Sequence, residues 1–396
     1  MPEMRDIYDY EKRLRRKLEQ IRGMENLSDR NTKMILEFQK HCVAEGLSVA
    51  RALRYLHDLP ILADFLAKDF DQANKADFER VLNRLEETEY AYQTKLDFKK
   101  TIKKFYKWMD GGKEYPESIQ WIKTGRKINN QKLPEELLTE EEVKSMIEAV
   151  WHPRDRAVIS VIWESGCRAG EFLTMQVKHV DFEETLTRIT LQGKTGMRRV
   201  PLIDSTPYLA EWLDNHPFRN DPESPLWIGI GTVGRNQMLS YPALRKVLSE
   251  AAKRARVTKK SNPHNFRHSR ATYLARHLTE AEMNQYLGWV RGSNMPATYV
   301  HLSGRDMDSA VLKLRGMKPK EEKIERTLAP KECPRCGLTN KATGKFCNKC
   351  GAILDVQTAV AMQDEIEGLD EKFSTLLQDE DVQKLLMRKM VELGIK

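Results

Sequence analysis

The segment Pro263-His264-Asn265-Phe266-Arg267-His268-Ser269 is followed by Gly288-Trp289 and then by Tyr299-Val300-His301, and well upstream stands Gly166-Cys167-Arg168-Ala169-Gly170-Glu171. Two guanidiniums, an imidazole, an indole and a phenol suit the capture of one phosphodiester. Arg168 and Arg267 stay charged and can each grip two non-bridging oxygens in fork geometry. His264 and Trp289 add ring N–H donors, and Tyr299 offers an oxygen nucleophile. A phosphodiester resists attack because the nucleophile meets an anion and the departing alkoxide is a poor leaving group. The protein must therefore neutralise charge on the equatorial oxygens and protonate the leaving oxygen. His264 can instead accept the phenolic proton, which a phenol with a pKa of about 10 does not shed unaided at neutral pH.

In kind and order these residues resemble the tyrosine recombinases, the integrase type found in phages, bacteria and archaea. That family's pattern is an Arg within Gly-x-Arg-x-x-Glu, a hairpin Lys, a His-x-x-Arg-His box, a Gly-His or Gly-Trp pair, and Tyr-x-His. The matching residues here are Arg168 with Glu171, Lys194, His264 with Arg267 and His268, Gly288-Trp289, and Tyr299 with His301. Ten positions separate Trp289 from Tyr299, one more than the family's usual spacing. The resemblance implies that Tyr299 forms a 3′-phosphotyrosyl bond and frees a 5′-hydroxyl, which a partner duplex can supply in reverse. Arg168, Lys194, His264, Arg267 and Trp289 then form the rest of the catalytic set, with Lys194 as general acid in the hairpin Gly193-Lys-Thr-Gly196 and Lys178 and Arg198 as its competitors. Glu171, His268 and His301 support it: Glu171 orients the cations, and His268 is expected to serve packing. Tyr273 and Tyr286 are expected to be packed rings with their hydroxyls at the surface. The implied partner is double-stranded DNA, bound by a homotetramer on paired sites. Catalysis needs neither a metal nor a nucleotide, and no Walker-type glycine loop is present. Two other readings remain open at this point, a type IB topoisomerase and a non-catalytic DNA-binding regulator.

The 396 residues exceed one ordinary core, so two or three domains are expected. The net charge is +8, but residues 355–396 alone carry −5, leaving a body of +13. A basic body with an acidic tail fits a polyanionic partner. No apolar run is long enough to span a bilayer and the N-terminal stretch is charged throughout, so a cytoplasmic, nucleoid-associated protein is expected. Of six cysteines, Cys42 and Cys167 stand alone. Cys333-Pro-Arg-Cys336-Gly and Cys347-Asn-Lys-Cys350-Gly are paired knuckles of the kind that closes a structural zinc site; two disulfides are the competing reading, disfavoured inside a cell.

These residues need elements to position them. The expected fold class is mainly α: a helical, SAM-like core-binding domain, then an α+β catalytic domain with a small antiparallel sheet, a zinc ribbon and a C-terminal helix. The expected boundaries are 1–112 for the helical domain, 113–133 for a basic linker and 134–318 for the catalytic domain. A second linker follows at 319–331, the knuckles at 332–352 and a helical tail at 353–396. Helices are read over 6–22, from Ser28 or Asp29 to Gly46, and from Ser48 through Leu59, with two more in 77–109. The last pairs an apolar stripe with lysines, of which Lys95, Lys99, Lys103 and Lys107 are assigned to the DNA backbone. Leu138-Thr139-Glu-Glu-Glu142 caps a helix, and residues 186–203 alternate as a hairpin. In the tail Met362, Ile366, Leu369, Phe373 and Leu376 form a short heptad seam, expected to dock on this chain or on a neighbouring copy.

Overall fold

A computed structural model of the chain describes residues 7–125, 134–184, 186–193, 196–232, 234–290, 292–302, 315 and 326–393. They fall into two compact units, Met1–Gln131 and Lys132–Lys396.

The first unit is a helical bundle of α1 (Tyr10–Arg22), α2 (Asp29–Ala44), α3 (Val49–Leu66), α4 (Lys75–Glu87), α5 (Tyr92–Met109) and the short α6 (Glu117–Gln120). Ser28 caps α2 by accepting the Asn31 N–H at 3.1 Å, which resolves the choice between Ser28 and Asp29. Apolar residues at helical spacing meet in one core, with Ile35, Phe38, Leu59, Phe70, Phe78 and Phe105 fully buried. Helix α3 runs on past Leu59 with Pro60 inside it. The ring removes one backbone donor, and the turn beyond persists because Leu62, Ala63 and Leu66 are buried in the same core. The stretch expected to be a basic linker from residue 113 instead contributes α6, whose Ile119 and neighbouring Ile122 are buried in that core.

The second unit opens with α7 (Glu140–Glu148), where Thr139 and Glu142 form the expected capping box. The buried α8 (Pro153–Ser165) ends at Gly166, and α9 (Ala169–Leu173) starts three residues later. Gly166 closes α8 at φ 55°, and a Cβ there would meet the Arg270 side chain at 3.2 Å, so both conformation and space favour glycine. A three-stranded antiparallel sheet follows, β1 (Val180–Phe182), β2 (Thr187–Gly193) and β3 (Gly196–Leu202), in the order β1-β2-β3. The expected hairpin is β2–β3, with Gly193 opposite Gly196; β1 has no counterpart in the sequence pattern because three residues carry too little alternation.

Helices α10 (Thr206–Asp214), α11 (Tyr241–Arg254), α12 (Pro263–Ala275), α13 (Glu280–Leu287) and α14 (Met295–Leu302) follow the sheet. The buried Glu164 of α8 accepts the N–H groups of Ile203, Asp204 and Ser205 at 2.7, 3.1 and 2.8 Å, fastening the exit of β3 to α8. Tyr286 donates its hydroxyl to the Glu164 carbonyl at 2.8 Å, so that hydroxyl is an internal tie between α13 and α8, not a surface group.

Residues 319–325 of the expected second linker lie outside the described residues. Just beyond, Leu328 is buried and its N–H donates to the Glu140 carboxylate at 2.8 Å. The cysteine knuckles carry a two-stranded ribbon, β4 (Lys331–Glu332) with β5 (Thr339–Asn340). The ribbon is tied to α10 by Lys341–Glu211 at 2.5 Å and Tyr208–Thr343 at 3.0 Å. The tail forms α15 (Val356–Leu377) and α16 (Glu380–Leu393). Its seam residues Ile366, Leu369, Phe373 and Leu376 are 54–65% exposed among the described residues. No helix among the described residues is long and apolar enough to cross a membrane.

Candidate active site

Arg168 stands at the start of α9, where the Glu171 carboxylate accepts its backbone N–H at 2.9 Å. The same carboxylate takes the Arg168 Nη1 at 2.8 Å and, from β3, the Arg198 Nη2 at 2.8 Å. Burial would push the Glu171 pKa up, but Arg198 and then Arg168 outweigh it and hold the carboxyl below its ordinary value. Glu171 is therefore a buried anion shared by two cations.

The guanidiniums also use helix ends. Arg267, buried on α12, donates to the Gly166 carbonyl at 2.9 Å and to the Leu287 carbonyl at 2.7 Å. Arg168 donates to the Gly288 carbonyl at 3.1 and 3.2 Å. These carbonyls lie where α8 and α13 end, at the negative pole of each helix and without intrahelical donors. Burial first, then repulsion from Arg168, lowers the Arg267 pKa to about 10, which still leaves it charged at neutral pH. Gly288 ends α13 at φ 63°, and a Cβ there would stand 2.5 Å from the Arg198 Nη1. The positive φ and the nearness of the sheet guanidinium both favour glycine at the turn that presents Trp289.

Trp289 and Tyr299 stack, with ring centroids 5.4 Å apart and planes 11° from parallel. The Arg267 guanidinium lies over the Trp289 ring at 5.6 Å. One more residue between Trp289 and Tyr299 than the usual spacing therefore does not prevent the two rings from meeting. The Tyr299 hydroxyl is 2.5 Å from the His268 Nδ1, and the His268 Nε2 is 2.8 Å from the His264 Nε2. Both histidines face one side of α12 because they are one helical turn apart. Burial pushes the Tyr299 pKa up to about 12, against the pull of Arg267.

Arg168, Glu171, His264, Arg267, His268, Trp289 and Tyr299 are thus brought into one cluster. Lys194 lies outside the described residues, between the paired Gly193 and Gly196. His301 falls within α14, but its side chain is outside the described ones. Sequence reasoning places Arg198 only as a competitor for the hairpin role and misses its tie to Glu171. Strand alternation is the signal that finds it, since Arg198 shares a face with the buried Val200 and Leu202.

The α5 lysines are occupied inside their own unit. Lys95 and Lys99 pair with Glu86 at 3.4 and 2.8 Å. Lys103 donates to the Ile122 carbonyl at 3.2 Å, and both Lys103 and Lys107 sit over the Tyr115 ring, at 4.2 and 5.3 Å. A cleft of 690 Å³ in the same unit is lined by Arg13, Arg16, Lys17, Arg54 and His57 together with Asp58, and of these Arg54 is paired with Asp58 and Asp97 at 3.5 and 3.2 Å. The signal for it is the basic face of α1, to which sequence reasoning assigns no role.

Cys333, Cys336, Cys347 and Cys350 place their sulfurs within 4.8 Å of one another, with Cys333–Cys350 at 3.5 Å and Cys336–Cys347 at 3.6 Å. A tetrahedral ion with metal–sulfur bonds of about 2.3 Å requires sulfur–sulfur edges of about 3.8 Å. All four cysteines are free, and the cluster fits a metal ion better than two disulfides.

With this geometry in place, the resemblance to known proteins is direct. The sequence pattern of the phage integrase family matches residues 136–305. Tyrosine recombinase XerA of Pyrococcus furiosus is 24% identical over 285 residues, which cover 71% of this chain and 93% of the relative. A tyrosine recombinase of Thermosipho africanus is 24% identical over 296 residues, covering 72% of this chain and all of the relative. Over these residues the chain is similar to the tyrosine recombinases. Solved recombinases share its fold: a XerH site-specific recombinase on a palindromic difH substrate in a post-cleavage complex aligns with TM-score 0.56 and 19% identity, over 77% of this chain and 95% of that one. A lambda integrase tetramer on a Holliday junction aligns with TM-score 0.54 and 14% identity, over 69% and 78%.

Proposed function

We propose that this recombinase cuts and rejoins specific DNA sites through a phosphotyrosyl bond on Tyr299. The observation that carries the proposal is the single cluster joining a buried phenol, two guanidiniums at helix ends and a pair of imidazoles. Arg168 and Arg267 hold the non-bridging oxygens of the scissile phosphate while charge grows there. The Tyr299 oxygen bonds to phosphorus, the bond to the 5′ oxygen breaks, and Lys194 gives that oxygen its proton. Trp289 supports the phenol and supplies an indole N–H. A 5′-hydroxyl from a second duplex reverses the step, so neither a metal nor a nucleotide enters the reaction. Four copies on two sites perform the exchange, a reading supported by the tetramer of lambda integrase on a Holliday junction. The protein works in the cytoplasm, on the nucleoid. The deciding experiment incubates the chain with a random-sequence pool of nicked duplexes, recovers covalently bound DNA, and maps the modified peptide. An adduct on Tyr299 with a selected sequence is expected; an adduct elsewhere, or none, removes the proposal.

The first unit contacts the DNA backbone through the α1/α3 cleft more than through α5, because the α5 lysines are already committed. Replacing Arg13 and Arg16 with alanine is expected to weaken duplex binding and to reduce the salt slope of log Kd by about two, roughly 0.9 for each phosphate no longer neutralised. Replacing Lys99 and Lys103 is expected to change the slope by less than one. Titrations at several salt concentrations compare the two.

Zinc is the metal that the four thiolates suit, as a closed structural site without an open position for catalysis. One zinc per chain is expected by elemental analysis. Strong chelators should expose residues 331–355 to protease and hydrogen exchange, since a site of this kind supplies on the order of 10 kcal/mol toward folding its own segment. Retained protection after complete metal removal would exclude a structural role.

A further inference from the structure

The Tyr299 hydroxyl begins a chain of contacts that leads out of the core. The phenol is buried, with only 3% of the residue exposed; His268 is half-buried, and His264 is exposed. The links are 2.5 Å from Tyr299 to the His268 Nδ1 and 2.8 Å from the His268 Nε2 to the His264 Nε2. A neutral imidazole carries one N–H and one lone pair, so of the two nitrogens that face each other one must donate and the other accept. If His264 donated, His268 would hold its proton on Nδ1 and donate to the phenol oxygen. The phenolic proton would then need another acceptor. Among the described residues, the indole stacked on that phenol, Trp289, and the guanidinium that acts on it electrostatically, Arg267, are donors without an acceptor lone pair. The arrangement that satisfies the phenol runs the other way: the hydroxyl donates to the His268 Nδ1, and the His268 Nε2–H donates to the His264 Nε2.

We infer that His268 is a catalytic residue of this enzyme, the immediate acceptor of the Tyr299 proton, and that it passes a proton on to His264. The inference rests on Tyr299 being the nucleophile. As the Tyr299 oxygen bonds to phosphorus, its O–H bond breaks and the proton joins the His268 Nδ1. The Nε2 proton of His268 moves to the His264 Nε2, so His268 ends neutral with its tautomer reversed and His264 ends as imidazolium. The 5′ oxygen leaves phosphorus with the bonding electron pair and is protonated by the general acid. Religation runs every transfer backward. A relay suits this site because the phenol is buried and the exposed imidazole can exchange its proton with solvent. The Asn265-Phe266-Arg267 spacing between the two histidines is one helical turn, which places both imidazoles on the side of α12 that meets α14.

The test uses the full chain and a nicked duplex bearing a site recovered by covalent capture. His268→Ala is expected to bind that duplex normally and to cleave it about a hundred- to ten-thousandfold more slowly in a single turnover. Native and His268→Ala chains are then prepared with a fluorinated, more acidic tyrosine at position 299. A residue that removes the proton matters less when the phenol ionises readily, so the deficit should shrink at least tenfold. An equal deficit with either tyrosine would mean that His268 only holds the ring in place and would overturn the inference. Long-range proton–nitrogen spectra of the native chain give a second readout that requires no variant to fold. His268 protonated on Nε2 is expected; protonation on Nδ1 overturns the relay. Failure of the nucleophile assignment reads differently, as an adduct that survives Tyr299→Phe or a native chain that forms none.

Discussion

Tyr299→Phe is expected to bind duplex DNA as tightly as the native chain and to form no covalent adduct. The substitution keeps the ring that stacks on Trp289 at 5.4 Å and removes only the hydroxyl. With it goes the 2.5 Å hydrogen bond to His268, so the stability change should stay within about 1.5 kcal/mol. Cleavage, by contrast, has no substitute for the missing oxygen: His264 and His268 lie on the far side of that hydrogen bond, toward solvent. Denaturing gels of nicked duplex incubated with each protein distinguish the two, and melting curves check that the fold is retained. An adduct in the variant, at any level above background, would assign the nucleophile to another residue.

The second large effect is expected at Glu171, through stability as well as rate. Its carboxylate is 3% exposed and binds the Arg168 and Arg198 guanidiniums, each at 2.8 Å. Glu171→Ala would leave Arg198, 9% exposed, without its counter-charge, and Arg267 would feel its cationic neighbours unopposed. Removing one partner of a buried pair costs about 3–5 kcal/mol. For a unit of this size that lowers the melting temperature by on the order of 10 °C. Arg168 is also freed from the carboxylate that sets its fork, so cleavage should fall by roughly a hundredfold or more. Glu171→Gln retains the hydrogen-bond acceptor and should be destabilised less than the alanine variant. Calorimetry with single-turnover cleavage measures both effects; a melting temperature within about 2 °C of native for Glu171→Ala would contradict the account.

Arg198 is a cation with a structural part. Its Nη1 is buried without a hydrogen-bond partner among the described residues, while its other nitrogens hold Glu171 and the Tyr286 carbonyl. It therefore serves to assemble Arg168, Glu171 and the α13 turn. That role is not visible in the one-dimensional pattern, where Arg198 and Arg199 look alike; only strand alternation separates them. The α5 lysines are the opposite case. Their spacing reads as a solvated basic face, yet Glu86, Tyr115 and the Ile122 carbonyl engage them from segments whose approach no helical periodicity encodes.

The amino-acid order by itself determined the predominantly helical class, the β2–β3 hairpin, the cysteine cluster and most of the residues gathered at the site. The first three follow from local rules, namely capping residues, strand alternation and knuckle spacing; the site residues were legible through their resemblance to the tyrosine recombinase pattern. Tertiary structure decided which histidine touches the phenol, what holds the two guanidiniums, and which basic face of the first unit remains open. Each of these depends on groups brought together from distant parts of the chain, such as Gly166 with Arg267 at 2.9 Å and His268 with Tyr299 at 2.5 Å. Packing fixes such distances by closing the core around them, and no periodicity along the sequence specifies them in advance.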